Sequence, residues 1–208
     1  MQQNNTKQLL GIALRLLIIC TVIATIVAFV NYVTKDKIEL NQKISTAEAL
    51  TGIYGSDFNG AKFTVEGDSY VMKDENGNVV VSCEEADCEK KPDVTNLYML
   101  RDADGNALSF CVAISPMGFK DKISMLVAIN PTVGVKAVKI VSLSETSGIG
   151  TKVQEDDFLD KFVDKSSPIV GNVDTISGAT KSSKPVIGAV ETALEQVALY
   201  TNSKGGAE

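Results

Sequence analysis

Ten consecutive residues concentrate the chemistry of this chain: Asp174-Thr175-Ile176-Ser177-Gly178-Ala179-Thr180-Lys181-Ser182-Ser183. They set five hydroxyls beside one glycine and one alanine, with Lys181 and the following Lys184 adding positive charge. Helical periodicity begins just beyond them. A polar loop feeding a helix N-terminus offers unpaired N–H groups and the positive end of the helix dipole, which together suit a phosphate. Ser177, Ser182 and Ser183 are candidate partners for its oxygens, and the Thr180 hydroxyl could also be esterified by one. Residue types alone do not demand this, because serine and threonine ahead of a helix are ordinary caps.

The rest of the composition narrows the chemistry by exclusion. There is no histidine and no tryptophan in 208 residues. That removes Ser-His-Asp triads, Cys-His pairs and His-ligated zinc or haem. Carboxylates, lysines, hydroxyls or a cofactor must carry any reaction, and no metal-ligand set stands out. No G-x-G-x-x-G and no Walker loop is present; Gly148-Ile149-Gly150 lacks the surroundings of either. The first 33 residues hold Lys7 and Arg15 and no acid, so a whole-chain charge of -6 leaves -8 on the remainder. An acidic domain whose only arginine is Arg101 argues against nucleic acid as a partner.

The loop must be held by an ordered framework, and the sequence outlines one. Residues 16–33 carry no charge, and with 9–14 they are long enough to cross a bilayer, Arg15 reaching back to the interface. A retained anchor over 9–33 fits better than a cleaved signal, since no small-x-small site follows Ala28. The lysine count on either side, slightly against an inside N-terminus, leaves orientation open. The expected order is a tail at 1–8, the span at 9–33, a helical stalk at 34–60 ended by Gly52 and Gly55, and a domain at 61–208.

Within that domain, apolar runs at 62–66, 79–82, 97–101, 107–114, 123–129 and 135–141 read as strands. Asn76-Gly77 and Asp104-Gly105 read as hairpin turns. Residues 155–163 suggest a short amphipathic helix with Phe158, Leu159 and Phe162 inward. Residues 185–200 form the clearest helix, with Pro185 in its first turn and 202–208 as a frayed tail. The fold class is α+β: an antiparallel, hairpin-built sheet with helices packed near its end. Cys20 lies in the anchor and Cys111 in a strand. Cys83 and Cys88 could close a small disulfide loop in an oxidising compartment.

The stretch Asp174-x-x-Ser177-Gly178-Ala179-Thr180 resembles the S(T)GAT flavinylation motif of the FMN-binding domain family. In that family a Mg²⁺-dependent flavin transferase esterifies the last threonine with FMN and releases AMP from FAD. The resemblance therefore implies Thr180 as the phosphoester site. Ser177, Gly178, Ala179, Lys181 and Ser182 would shape the phosphate seat, and Asp174 would position the loop. Glu145-Thr146-Ser147-Gly148-Ile149-Gly150 is similar to the family's E-T-P-G-L-G loop beside the flavin, with Ser147 in place of proline and Ile149 in place of leucine. Glu145, Thr146 and Gly148 would line the cofactor. Met117-Gly118-Phe119 falls where the family has a Gly-rich aromatic segment.

The resemblance covers residues 107–200, and the anchor adds to it. Within the family, the layout resembles that of the G subunits of Rnf electron-transport complexes, with the homologous NqrC subunits of sodium-translocating NADH:quinone oxidoreductases as the alternative. It implies a membrane-anchored carrier that relays electrons through covalent FMN and is not catalytic alone. The implied setting is the extracytoplasmic side of the cytoplasmic membrane, in a ferredoxin:NAD⁺ oxidoreductase pumping Na⁺ or H⁺. The implied partners are the other Rnf subunits, the flavin transferase and lipid. A stand-alone extracytoplasmic flavin reductase and a cofactor-free tethered sensor or adhesion domain are the competing classes.

Overall fold

The computed structural model describes residues 2–167 and 169–205. Contacts divide the chain into a unit ending at Lys43 and a second beginning at Ile44. The first consists of the greater part of helix α1 (Gln2–Tyr54). Its 18-residue apolar window has a mean hydropathy of 2.6 and no buried share, making it a candidate membrane span. The hydroxyls of Thr21, Thr25 and Thr34 donate to the carbonyls four residues earlier, at 2.7–2.8 Å. Such back-bonding satisfies polar groups where no water can.

The second unit is built on a seven-stranded antiparallel meander in strand order β1 to β7. The strands are β1 (Phe63–Glu66), β2 (Ser69–Lys73), β3 (Val79–Glu85), β4 (Val94–Asp102), β5 (Ala107–Ile114), β6 (Ser124–Asn130) and β7 (Gly134–Ser142). Two hairpins share one device. Asp74 accepts the Asn76 and Asn78 amides, and Asp102 accepts the Asn106 amide, each bond 2.8 Å. Strand β2 does not figure among the expected runs. It follows β1 after Gly67 and Asp68 alone, so its Tyr70, Val71 and Met72 merge with the neighbouring segment in sequence.

Both faces of the sheet are covered, and this explains the unbroken apolar runs. Along β6, Met125, Val127 and Ile129 join one core while Leu126 and Ala128 join the other. The end of α1 covers the second face: Ala47, Leu50, Ile53 and Tyr54 pack with Phe63, Met72, Val81 and Leu100. The Tyr54 hydroxyl and the Ser109 Oγ share a hydrogen bond of 2.8 Å there. Gly52 does not end α1, which runs on to Tyr54 and stops before Gly55.

On the opposite face lie α2 (Asp156–Leu159), the helical turn Asp160–Phe162 and α3 (Thr180–Gly205). Phe158, Leu159 and Phe162 are buried, as their amphipathic spacing implies. Helix α3 lays Val186, Val190, Ala193 and Val197 on Leu97, Val112 and Met125. It begins five residues before Pro185 and continues through Gly205, so the tail from 202 is helical that far; residues 206–208 lie outside the described residues. Cys83 and Cys88 are both free thiols, and the disulfide considered from sequence is not formed. The sheet separates them: Cys83 is in the α1-side core, whereas Cys88 packs against the α3-side core.

Candidate functional site

Three loops meet the start of α3 in one cleft. The first joins β5 to β6 and folds back tightly. The Gly118 N–H donates to the Asp121 carbonyl at 2.9 Å, Met117 bridges to Lys122, and Phe119 is left 59% exposed near the tip. The second follows β7. There the Ile149 N–H donates to the Thr146 carbonyl at 3.2 Å, and Gly148 has φ +74°. The third precedes α3. There the Ala179 N–H donates to the Ile176 carbonyl at 2.9 Å, and Gly178 has φ +80°. The last two loops are thus built alike, as turns with glycine at the third position, where positive φ disfavours any side chain. Ser147 and Ser177 hold the second position in each.

Ala179 occupies the cap position of α3, since its carbonyl accepts the Ser182 and Ser183 amides at 3.0 and 2.9 Å. It has no side-chain oxygen with which to cap. The Thr180 and Lys181 amides have no hydrogen-bond partner among the described residues, and both residues line the cleft. Ser183 instead staples the loop: its Oγ accepts the Ile176 N–H at 3.3 Å and donates to the Ala179 carbonyl at 2.9 Å. Pro185, expected in the first turn, stands inside the helix and withholds an amide from the Lys181 carbonyl.

The cleft encloses about 450 Å³, within the range of small-molecule sites. Phe119 and Ile149, both more than half exposed, give it apolar walls. Thr180 lines it and is exposed, with no intramolecular partner for its hydroxyl among the described residues. The Lys181 ammonium sits 5.1 Å from the centre of the Phe119 ring. Glu145 is buried between the loops. Its Oε1 accepts the Lys120 N–H at 3.0 Å, and its Oε2 accepts the Ser182 hydroxyl at 2.7 Å. Burial by itself raises this carboxyl, but the Lys120 amide, the Ser182 hydroxyl and the amides of Phe119 and Asp121 together outweigh it and hold the group below its ordinary value.

Seven of the residues singled out from sequence line this cleft: Glu145, Thr146, Gly178, Ala179, Thr180, Lys181 and Ser182. Three do not. Ser177 and Gly148 shape the turns without facing the space, and Asp174 is exposed and makes no hydrogen bond among the described residues. Holding the loop, the role expected of Asp174, belongs to Ser183. Nor can Ser182 and Ser183 donate to a phosphate as they stand, because each gives its single proton to another acceptor. Phe119, Ile149 and Gly150 line the cleft without having been assigned a role from sequence. Met117-Gly118-Phe119, an apolar–glycine–aromatic run between two strands, was the available signal for the first.

Residues 118–195 match the family described as FMN-binding domain. The chain is similar to that family over this stretch. Its relatives include the G subunit of a proton-translocating ferredoxin:NAD⁺ oxidoreductase complex of Clostridium ljungdahlii, 32% identical over 106 residues. That match covers 47% of this chain and only 57% of the relative's length. The G subunit of an ion-translocating oxidoreductase complex of Methanosarcina acetivorans is 26% identical over 203 residues, covering 93% of this chain and 97% of the relative. Among solved structures, NqrC of Shewanella oneidensis is 22% identical with a TM-score of 0.45, covering 59% of this chain and 70% of its own. The C subunit of the Na⁺-translocating NADH-quinone reductase of Parabacteroides distasonis is 16% identical with a TM-score of 0.47, covering 79% and 94%. The chain is thus similar to the G subunits of two ion-translocating oxidoreductase complexes.

Proposed function

We propose that this FMN-binding domain carries its FMN as a phosphoester on Thr180 and serves as one electron-relay step of an Rnf-type complex. That complex would pass electrons between ferredoxin and NAD⁺ while moving Na⁺ or H⁺. The observation that carries the proposal is the exposed Thr180 hydroxyl at the first position of α3, beside two amides with no partner among the described residues. In attachment, a Thr180 Oγ1–phosphorus bond replaces the pyrophosphate bond of FAD, AMP leaves, and the hydroxyl proton is lost. The Thr180 and Lys181 amides are placed to donate to the remaining phosphoryl oxygens, and the Lys181 ammonium offsets their charge. Glu145 keeps its charge, with both oxygens directed at donors of the protein.

When bound, FMN supplies one- and two-electron chemistry. The chain's part is to bind, orient and shield. Phe119 and Ile149 offer apolar contact on the walls of the cleft and exclude water from it. An ester link suits a domain on the outer side of the membrane, where a dissociable cofactor would be lost to dilution. Anchoring by α1 keeps the domain among its membrane partners.

Membrane-purified protein coexpressed with a flavin transferase is expected to exceed its sequence mass by FMN less one water, with the addition mapping to the peptide containing Thr180. Thr180→Ala is expected to remove both the added mass and the in-gel flavin fluorescence. Covalent flavin persisting in that variant would remove Thr180 from the mechanism.

A further inference from the structure

Glu145 is an acid buried in the wall of a cleft read as an anion's seat, and it offers that anion nothing. Its two hydrogen bonds are long-range, reaching 25 residues back to Lys120 and 37 forward to Ser182. The space around the carboxylate is closed by glycines. A Cβ on Gly150 would lie 2.7 Å from Oε2 and 2.9 Å from the Ser182 Oγ, and a Cβ on Gly118 would overlap Oε1. Glycine at both places lets the hairpin and the post-β7 loop close directly on the acid.

The segments it joins are otherwise self-sufficient. The hairpin has its own Gly118–Asp121 bond, and the loop before α3 has its Ser183 staple. Each keeps its own shape without Glu145. What the carboxylate adds is their placement relative to each other.

We infer that Glu145 is a positioning residue, tying the hairpin that bears Phe119 to the turn of α3 that bears Thr180 and so fixing the two walls of the cleft for flavin attachment. The inference rests on Thr180 as the attachment point. Glutamine can reproduce the tie: its carbonyl accepts the Lys120 N–H and its amide donates to the Ser182 Oγ, whose hydroxyl turns away. Alanine cannot.

Two measurements on the full chain test this. The first follows flavin incorporation over time by intact mass, using transferase, FAD and Mg²⁺. The second compares amide hydrogen exchange in cofactor-free protein. Glu145→Ala is expected to slow incorporation by about tenfold or more, as misplacement of a reacting group does. It should also raise exchange in both 117–122 and 176–184 while leaving β3 and β4 unchanged. Glu145→Gln is expected to stay within about threefold of wild type, an isosteric side chain keeping the geometry. Ser182→Ala cuts one limb only: exchange should rise at 176–184 but not at 117–122, and incorporation should slow. It decides the matter should Glu145→Ala fail to fold.

Wild-type incorporation and exchange in Glu145→Ala or Ser182→Ala would overturn the inference. So would a glutamine variant as slow as the alanine one. Incorporation in Thr180→Ala would instead overturn the attachment reading, and the exchange comparison would still decide the tie itself.

Discussion

Gly150→Ala tests the packing around Glu145 through a single methyl group. Gly150 is buried and its φ is not positive, so alanine meets no backbone strain there. The added Cβ falls 2.7 Å from the Glu145 Oε2, 2.9 Å from the Glu145 Cβ and 2.9 Å from the Ser182 Oγ. Glu145 cannot swing away without leaving the Lys120 amide, and Gly118 blocks it from the other side. Two escapes exist. Overpacking costs about 1–3 kcal/mol, and breaking a hydrogen bond to a charged group costs about 1.5–3 kcal/mol. The cheaper route wins, so the loss should be about 2 kcal/mol, or about 4–8 °C in melting temperature for a domain of this size. Two other glycines calibrate the reading. Gly148→Ala meets no atom within 4 Å but must hold φ +74°, and should lose about 1–2 kcal/mol from strain alone. Gly188→Ala lies in α3 with open space and ordinary φ, and should gain up to about 1 kcal/mol. Thermal melts of the three variants by circular dichroism give the order. A Gly150→Ala protein that melts with wild type would mean that the carboxylate is not enclosed as described.

The remaining expectations concern the same domain. Ser147 is exposed at the second position of its turn, with no partner for its amide among the described residues; proline there should stabilise by about 0.4–1 kcal/mol, visible as a higher melting temperature, and a fall would contradict the turn. Glu145 has a folded pKa below its ordinary 4.5, so its contribution is complete above that pH and is lost as pH falls through the lower folded value. The melting-temperature gap between wild type and Glu145→Gln should therefore narrow below about pH 4.5, and a gap constant down to about pH 3 would refute the charged state. Alkylation without reductant should label Cys88 first and Cys83 only on unfolding; resistance of both until reduction would show that they pair after all.

How much of this was open to sequence depended on range. Turn chemistry is local, so the two Asp-initiated hairpins were legible. The identity of Thr180 rested on a four-residue pattern and its position on the start of α3, which Pro185 misplaced. Proline is usual in a first turn, and nothing in sequence says that a helix has already run five residues before it. Six of the seven strands were legible as apolar runs, yet which face met which helix was not. Residues such as Leu126 and Val127 are equally apolar because both faces are covered. The join between Glu145 and Ser182 spans 37 residues and leaves no local trace, so the resemblance named Glu145 only as a lining residue.

The cap of α3 shows a conflict between stability and use. Serine, aspartate or asparagine at the cap stabilises a helix by about 1 kcal/mol over alanine by accepting one of its first free amides. This chain has serines at 177, 182 and 183 and none at the cap, where Ala179 stands, 3% exposed. Those serines are engaged elsewhere or exposed, so nothing in the loop fills the Thr180 and Lys181 amides. A capping carboxylate would take up the Lys181 amide and place a negative charge where the proposed phosphoryl group would sit. Forgoing it leaves the helix start weaker and the donors free, which is the arrangement expected where function rather than stability sets the residue. The loop is kept in shape without a cap because Ser183, which does not line the cleft, staples it through Ile176 and Ala179.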